Sequence, residues 1–397
     1  MIERTEYLKR LSSFKDKKVI KVITGIRRCG KSTLLQQYTE LLKKQGISND
    51  KIIFVNLESA RYDAIRDYHA LYALIEGNIK GEGKNYVFID EVQNVASFEK
   101  AVESLSIDFD TDIYITGSNA YMLSSELSTL LSGRYVEIFV QPLSFKEYYS
   151  VWNDYDKEKI FYQYMKYGGF PFLAKETDEM IINNYLDGIY STIFVKDIVK
   201  HNRVKDITGL ENLLKTVFSS IGGLISATSL SKELKSSGRT ATNETVEKYL
   251  EMFCKAYIVK CAARYNIREK TYLKTLSKYY VCDLGLRNNV LGYRQMDVSH
   301  ALENIVYLEL IRRGYKVDIG KVNETEIDFV ARKQDCIEYY QVSFTVNNSA
   351  DTLNREIKPF ATVNDHYQKF LITMDKDFVS DIDGIRKLYA VDWLLES

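Results

Sequence analysis

A chain of 397 residues with 45% hydrophobic content has room for two or three domains with genuine cores. Lys plus Arg and Asp plus Glu number 54 each, so no global charge excess marks a polyanion binder, and no run of about 18 apolar residues marks a membrane helix. The five cysteines (29, 254, 261, 282 and 336) form no C-x-x-C pair and suit a reduced cytoplasm better than a disulfide frame or a zinc site.

The opening MIERTEYLKRL is charged from residue 3, unlike a signal peptide, and residues 1–16 read as a short lead-in helix. Val19, Ile20, Val22 and Ile23 then form an apolar, β-branched run, the mark of a buried strand. Gly25-Ile26-Arg27-Arg28-Cys29-Gly30-Lys31-Ser32 fits G-x-x-x-x-G-K-[ST], and Thr33 onward is helix-compatible. Strand, loop and helix are the context in which backbone N–H groups wrap phosphates and the helix dipole adds to the attraction. Lys31 is expected to reach the β- and γ-phosphates of ATP, and the Ser32 hydroxyl to ligate Mg2+.

Lys51–Asn56 is the next strand, and residues 60–80 look helical. Tyr86-Val87-Phe88-Ile89 ends in Asp90-Glu91, with Asp90 placed to hold magnesium and Glu91 to activate the attacking water. A helix near 97–106 leads to the strand Ile113–Thr116, closed by Gly117-Ser118-Asn119-Ala120. Ser118 or Asn119 is placed to sense the γ-phosphate or hold the water; ordinary turn chemistry is the alternative. A helix from 121 to 131 precedes Gly133-Arg134 and the strand Tyr135–Val140. Arg134 reads either as a finger reaching a neighbouring subunit's γ-phosphate or as a surface arginine. Alternating strands and helices imply a doubly wound parallel α/β sheet, with ligands at the carboxyl ends of its strands.

GIRRCGKST, VFIDEVQ, ITGSNA and LSGRYVEIFVQPLSFKEY together resemble an AAA+ family of prokaryotic ATPases, similar to archaeal-type ATPases bordering the STAND class. The resemblance covers about residues 1–150, and the family's C-terminal domain of unknown function resembles 200–397. It implies ATP binding and hydrolysis with Mg2+, a helical lid, a winged helix and a nuclease-like fold. The expected division is 1–144 for the ATPase core, 145–205 for the aromatic-rich lid with its Gly168-Gly169-Phe170-Pro171 turn, 206–297 for the winged helix and 298–397 for the nuclease-like unit.

Residues 201–300 carry sixteen Lys and Arg against nine Asp and Glu, so a winged helix here suggests DNA phosphate contact, with a packing role as the alternative. The order of elements after 298 resembles the PD-(D/E)XK nuclease fold. Glu303 and Asp328 match two acidic positions of its pattern, but the place of Glu-x-Lys reads Gln341-Val342-Ser343. Alternation puts Gln341 and Ser343 on one face and Glu338 on the other. The site is therefore expected to be vestigial, unless a shift of register or a lysine from elsewhere, such as Lys333, supplies the missing charge. A homo-oligomer, a DNA-associated role, a non-enzymatic ATP-gated protein-interaction switch and an ATP-dependent nuclease are the readings the sequence leaves open.

Overall fold

The computed structural model describes residues 2–120, 133–236, 238–239, 241–273, 276–347, 349–376 and 381–396. The helix expected at 121–131 lies outside them. The chain forms two compact units, Met1–Pro142 with Lys255–Tyr257, and Leu143–Cys254 with Ile258–Ser397.

In the first unit, α1 (Thr5–Ser13) precedes β1 (Ile20–Thr24), α2 (Lys31–Lys44), β2 (Ile52–Asn56), α3 (Tyr68–Glu76), β3 (Asn85–Asp90), α4 (Phe98–Asp108), β4 (Thr111–Gly117) and β5 (Tyr135–Phe139). All five strands pair in parallel, in the order β2-β3-β4-β1-β5. β1 and β3 are buried at every position, whereas β2, at the edge, alternates. Continuous apolar runs mark strands covered on both faces, and alternation marks a half-covered one. Val22, Val55, Val87, Ile89 and Ile115 pack with Leu71 and Ile75 of α3 and Val102 and Leu105 of α4. Because β4 lies between β1 and β3, the loops after all three open at one edge of the sheet, where open α/β folds bind ligands.

The second unit begins with α5 (Phe145–Tyr149), α6 (Lys157–Tyr167) and α7 (Glu179–Thr192), the last continued by a wide turn of π-helix over Ile193–Lys200. There follow α8 (Ile207–Ser219), β6 (Leu224–Ile225), α9 (Ala227–Ser236), α10 (Asn243–Lys255), β7 (Val259–Ala262), β8 (Arg264–Asn266), β9 (Thr271–Tyr272) and β10 (Ser277–Val281). β6, β10 and β7 form a small antiparallel sheet in that order. After α11 (Leu284–Leu291) and α12 (Val298–Arg312) come β11 (Lys316–Val322), β12 (Thr325–Lys333), β13 (Cys336–Val342), α13 (Ala350–Ala361), β14 (Gln368–Thr373), β15 (Asp381–Ile382), β16 (Ile385–Tyr389) and α14 (Ala390–Leu395). The large sheet runs β15-β16-β14-β13-β12-β11-β8-β9. Thus β8 and β9 extend the sheet of the last hundred residues, with β8 parallel to β11. Among the described residues no helix is long and apolar enough to cross a membrane.

Asp283 caps α11 and carries a pH effect. Its carboxylate accepts N–H bonds from Leu286 (3.1 Å) and from Gly169 (2.8 Å) in the turn after α6. Burial nonetheless pushes its pKa up to about 7, against the pull of the Gly169, Leu286 and Gly285 N–H groups. A folded pKa above the unfolded one means that the unfolded chain loses the proton first as pH rises. Stability is therefore expected to fall between about pH 4 and pH 7, by up to about 1.4 kcal/mol per unit. Denaturant titrations across this range check it: Asp283→Asn should flatten the slope, and an unchanged slope would assign it to other groups.

Candidate functional site

Gly25 closes β1 with φ 150°, and a Cβ there would stand 2.1 Å from Val140 O, so the turn admits only glycine. Gly30, at φ 101°, turns the loop into α2. No side chain caps α2, whose first N–H groups are thus left for an anion, as its +0.5 end charge favours. The Lys31 ammonium lies within the loop, 3.0 Å from Gly25 O, 3.2 Å from Ile26 O and 3.9 Å from Glu91. Ser32 and Thr33 are half-buried on the first turn. Arg28 is exposed, and Arg27 lies 3.7 Å from Glu58. Cys29 is buried, with its thiol on Val140 O at 3.3 Å; burial pushes its pKa up and makes it unreactive.

The acidic pair ends β3. Asp90 Oδ1 accepts the Thr116 hydroxyl at 2.5 Å, and that hydroxyl also receives the Glu91 N–H at 2.9 Å. Burial and, less strongly, the Glu91 charge push the Asp90 carboxyl above its ordinary value, while the hydroxyls of Thr116 and Ser32 and the Lys31 ammonium pull it back. Asp90 Oδ2 is buried with no hydrogen-bond partner among the described residues. An orphaned carboxylate oxygen beside a serine hydroxyl fits a hard divalent cation. Glu91 adopts φ 54°, uncommon for a side-chain-bearing residue, and its carboxylate accepts the amide of Gln93. The same amide reaches Ser118 Oγ at 3.3 Å; Ser118 and Asn119 are both buried at the end of β4.

The sheet thus gathers the P-loop, Asp90, Glu91, Ser118 and Asn119 at one edge. It does not bring Arg134 there. Ile20 N–H bonds Arg134 O at 2.8 Å, and Ile20 pairs with Tyr135, so the exposed Arg134 side chain starts at the opposite ends of the strands. β5 alone separates it from the P-loop edge by roughly 17 Å at 3.3 Å per residue.

Sequence reasoning missed Thr116, Gln93 and Arg4. Thr116 and Gln93 sit inside the quoted motifs ITGSNA and VFIDEVQ, which were the available signal. Arg4, buried ahead of α1, donates to Cys29 O (3.0 Å) and Gln141 O (2.8 Å) and so braces the loop from behind.

In the second unit Glu303, Asp328 and Gln341 also converge. Gln341 Oε1 accepts the Asp328 N–H (3.3 Å), its amide donates to Glu356 (3.1 Å), and Val342 N–H bonds the Asp328 carboxylate (2.8 Å). Ser343 is not part of the group; its hydroxyl bonds Thr345 O. Glu338 meets the Tyr340 hydroxyl instead, and Lys333 is spent on Arg313 O. The lysine that enters is Lys278, at the start of β10. Its ammonium lies 2.8 Å from Glu326, 3.0 Å from Glu303 and 3.8 Å from Asp328. Burial opposes its charge, but Glu303, Asp328 and Glu326 outweigh this and raise its pKa. Burial and the Glu303 charge raise Asp328, whereas Lys278 holds Glu303 low despite burial. One ammonium cannot balance three carboxylates, and Asp328 keeps a proton more readily than Glu303.

Residues 17–149 match an AAA domain family, and residues 158–297 a domain of unknown function (DUF8612). An uncharacterized protein of Haemophilus influenzae is 42% identical over 402 residues, covering 100% of this chain and 99% of its own. Uncharacterized protein MJ1544 of Methanocaldococcus jannaschii is 31% identical over 86% of this chain and 78% of its own. The solved Walker-type ATPase of Pyrococcus abyssi shares the fold at a TM-score of 0.50 and 15% identity, over 73% of this chain and 96% of its own. With a relative matched end to end, the chain belongs to the same family as this Haemophilus influenzae protein, and it carries an AAA domain over residues 17–149 on a parallel P-loop sheet.

Proposed function

We propose that the chain hydrolyses ATP with Mg2+ and uses the cycle to drive or switch a process on DNA. The observation that carries the hydrolytic reading is the convergence of the uncapped start of α2, Lys31, Asp90 with its orphan oxygen, and Glu91 at one sheet edge. The backbone from Gly25 through Arg27, Arg28, Cys29 and Gly30 to Thr33 wraps the phosphates, and Lys31 carries charge to the β- and γ-phosphates. Asp90 and Ser32 would hold Mg2+, which neutralises charge on the phosphate oxygens when bound. Glu91 takes a proton from water as the water oxygen bonds to the γ-phosphorus. The bond from that phosphorus to the β–γ bridging oxygen breaks, and ADP leaves with the electron pair. Ser118 and Asn119 hold the water or the γ-phosphate. Arg134, on the far side of its own sheet, acts on a second copy's nucleotide in a homo-oligomer.

The DNA part rests on the net +7 of residues 201–300 and on the order α8-β6-α9-α10-β7-β10, which we read as a winged helix. One observation favours the second reading, an ATP-gated switch that binds protein. The exposed face of α10, which would enter a groove, presents Glu244, Glu247 and Glu251 against Lys248. The last unit acts in docking and not in cutting, since Gln341 stands where the nuclease pattern places a carboxylate; the Lys278 ammonium beside Glu303 and Asp328 is the feature that favours cutting.

Phosphate release from Mg-ATP, followed at rising protein concentration with and without duplex DNA, tests this. Turnover is expected to rise with both, and neither strand should be cut with magnesium or manganese. No release at any concentration would overturn the hydrolytic reading; release indifferent to DNA would favour the protein switch. Cleavage lost in Asp328→Ala would restore the nuclease.

A further inference from the structure

Gln93 lies three residues past Asp90, in the short 3-10 turn Val92–Asn94. Its side-chain amide is shared between two groups of the nucleotide edge: it donates to Glu91 Oε2 and, at 3.3 Å, to Ser118 Oγ. The orientation of the amide follows from chemistry, because an ionised carboxylate only accepts and the NH2 end must therefore face Glu91. The other end, Gln93 Oε1, is buried and has no partner among the described residues. Buried side-chain acceptors without a partner are rare and cost free energy. Two of them, this one and Asp90 Oδ2, belong to the same short Asp90–Asn94 segment. Glu91 is reached from several sides. Its backbone is fixed at positive φ by the Thr116 hydroxyl, and Lys31 stands 3.9 Å from its carboxylate, but among the described residues the hydrogen bond to that carboxylate comes from Gln93.

We propose that Gln93 is a positioning residue for ATP hydrolysis, one that aims the Glu91 carboxylate and ties it to Ser118 while presenting Oε1 as an acceptor to the attacking water. This rests on the hydrolytic reading above. The water would then have two acceptors in fixed relation. Glu91 takes its proton, and Oε1 accepts its second hydrogen without removing it, so the oxygen lone pair points at the γ-phosphorus. A neutral amide suits this task because it adds no charge beside a carboxylate whose ionised form is needed.

Gln93→Leu keeps the side chain's bulk and removes both ends of the amide. In the full chain it is expected to lower kcat for Mg-ATP about 10- to 100-fold, with KM within about threefold, since the phosphate-binding loop is untouched. Gln93→Glu restores the shape but not the donor and places a second carboxylate beside the first, so it should not recover kcat. A merely structural role would lower the thermal midpoint and the amount of active enzyme while leaving kcat per active site unchanged. Wild-type kcat per active site in Gln93→Leu would overturn the inference and leave the hydrolytic reading standing. A wild-type chain that releases no phosphate would overturn both.

Discussion

The Glu91→Gln chain is expected to bind Mg-ATP as tightly as the native chain and to turn it over at least 100-fold more slowly. A positioned general base contributes roughly 10²–10⁴-fold. The substitution removes the charge and little else, because an amide has the shape of the carboxylate and the Glu91 N–H bond to Thr116 belongs to the backbone. Lys31→Ala should do the reverse. It removes the ammonium that lies at the mouth of the loop, so tight nucleotide binding should fail first. Equilibrium binding of a fluorescent ATP analogue beside phosphate release separates the two effects. Native turnover in Glu91→Gln would show that the water is activated elsewhere. Native affinity in Lys31→Ala would mean that the backbone and α2 suffice for the phosphates.

Lys278→Ala should be the most destabilising single change in the second unit, costing about 3–5 kcal/mol. Its side chain is 5% exposed, and Glu303, Glu326 and Asp328 all lie within 4 Å of its ammonium. Removing it leaves buried carboxylates facing one another. Part of the loss should be relieved by protonation, so the variant is expected to recover on acidification. Lys278→Met with Glu303→Gln, which removes the ammonium and one of the carboxylates, should lose much less than Lys278→Ala. Urea titrations of the three chains decide it: a loss below about 1 kcal/mol in Lys278→Ala would mean that the ammonium is incidental to the cluster.

The sequence by itself determined the P-loop core because its signals are local. A β-branched run, a glycine spacing and a helix-compatible tail sit within eighteen residues, and backbone geometry, not distant contacts, makes them a loop of the kind that binds phosphate. Asp90-Glu91 and Ser118-Asn119 were legible for the same reason: parallel strands end at one edge, so a residue at a strand's carboxyl end is placed by the strand alone. Only the tertiary structure decided the rest. Gln93 matters through a bond to Ser118, 25 residues on. Arg134 reads in sequence as a finger toward a neighbouring subunit or as a surface arginine, and the pairing of Ile20 with Tyr135 sets it at the opposite edge of its own sheet. Lys278 meets Glu303 across 25 residues and Asp328 across 50, in a site where the sequence offered only Lys333. Strands β8 and β9 are not legible in sequence because two or three residues carry no period of their own, and they become strands through pairing with β11 and with each other. Local pattern fixes what a residue is attached to; which charges meet depends on how distant strands are brought into register.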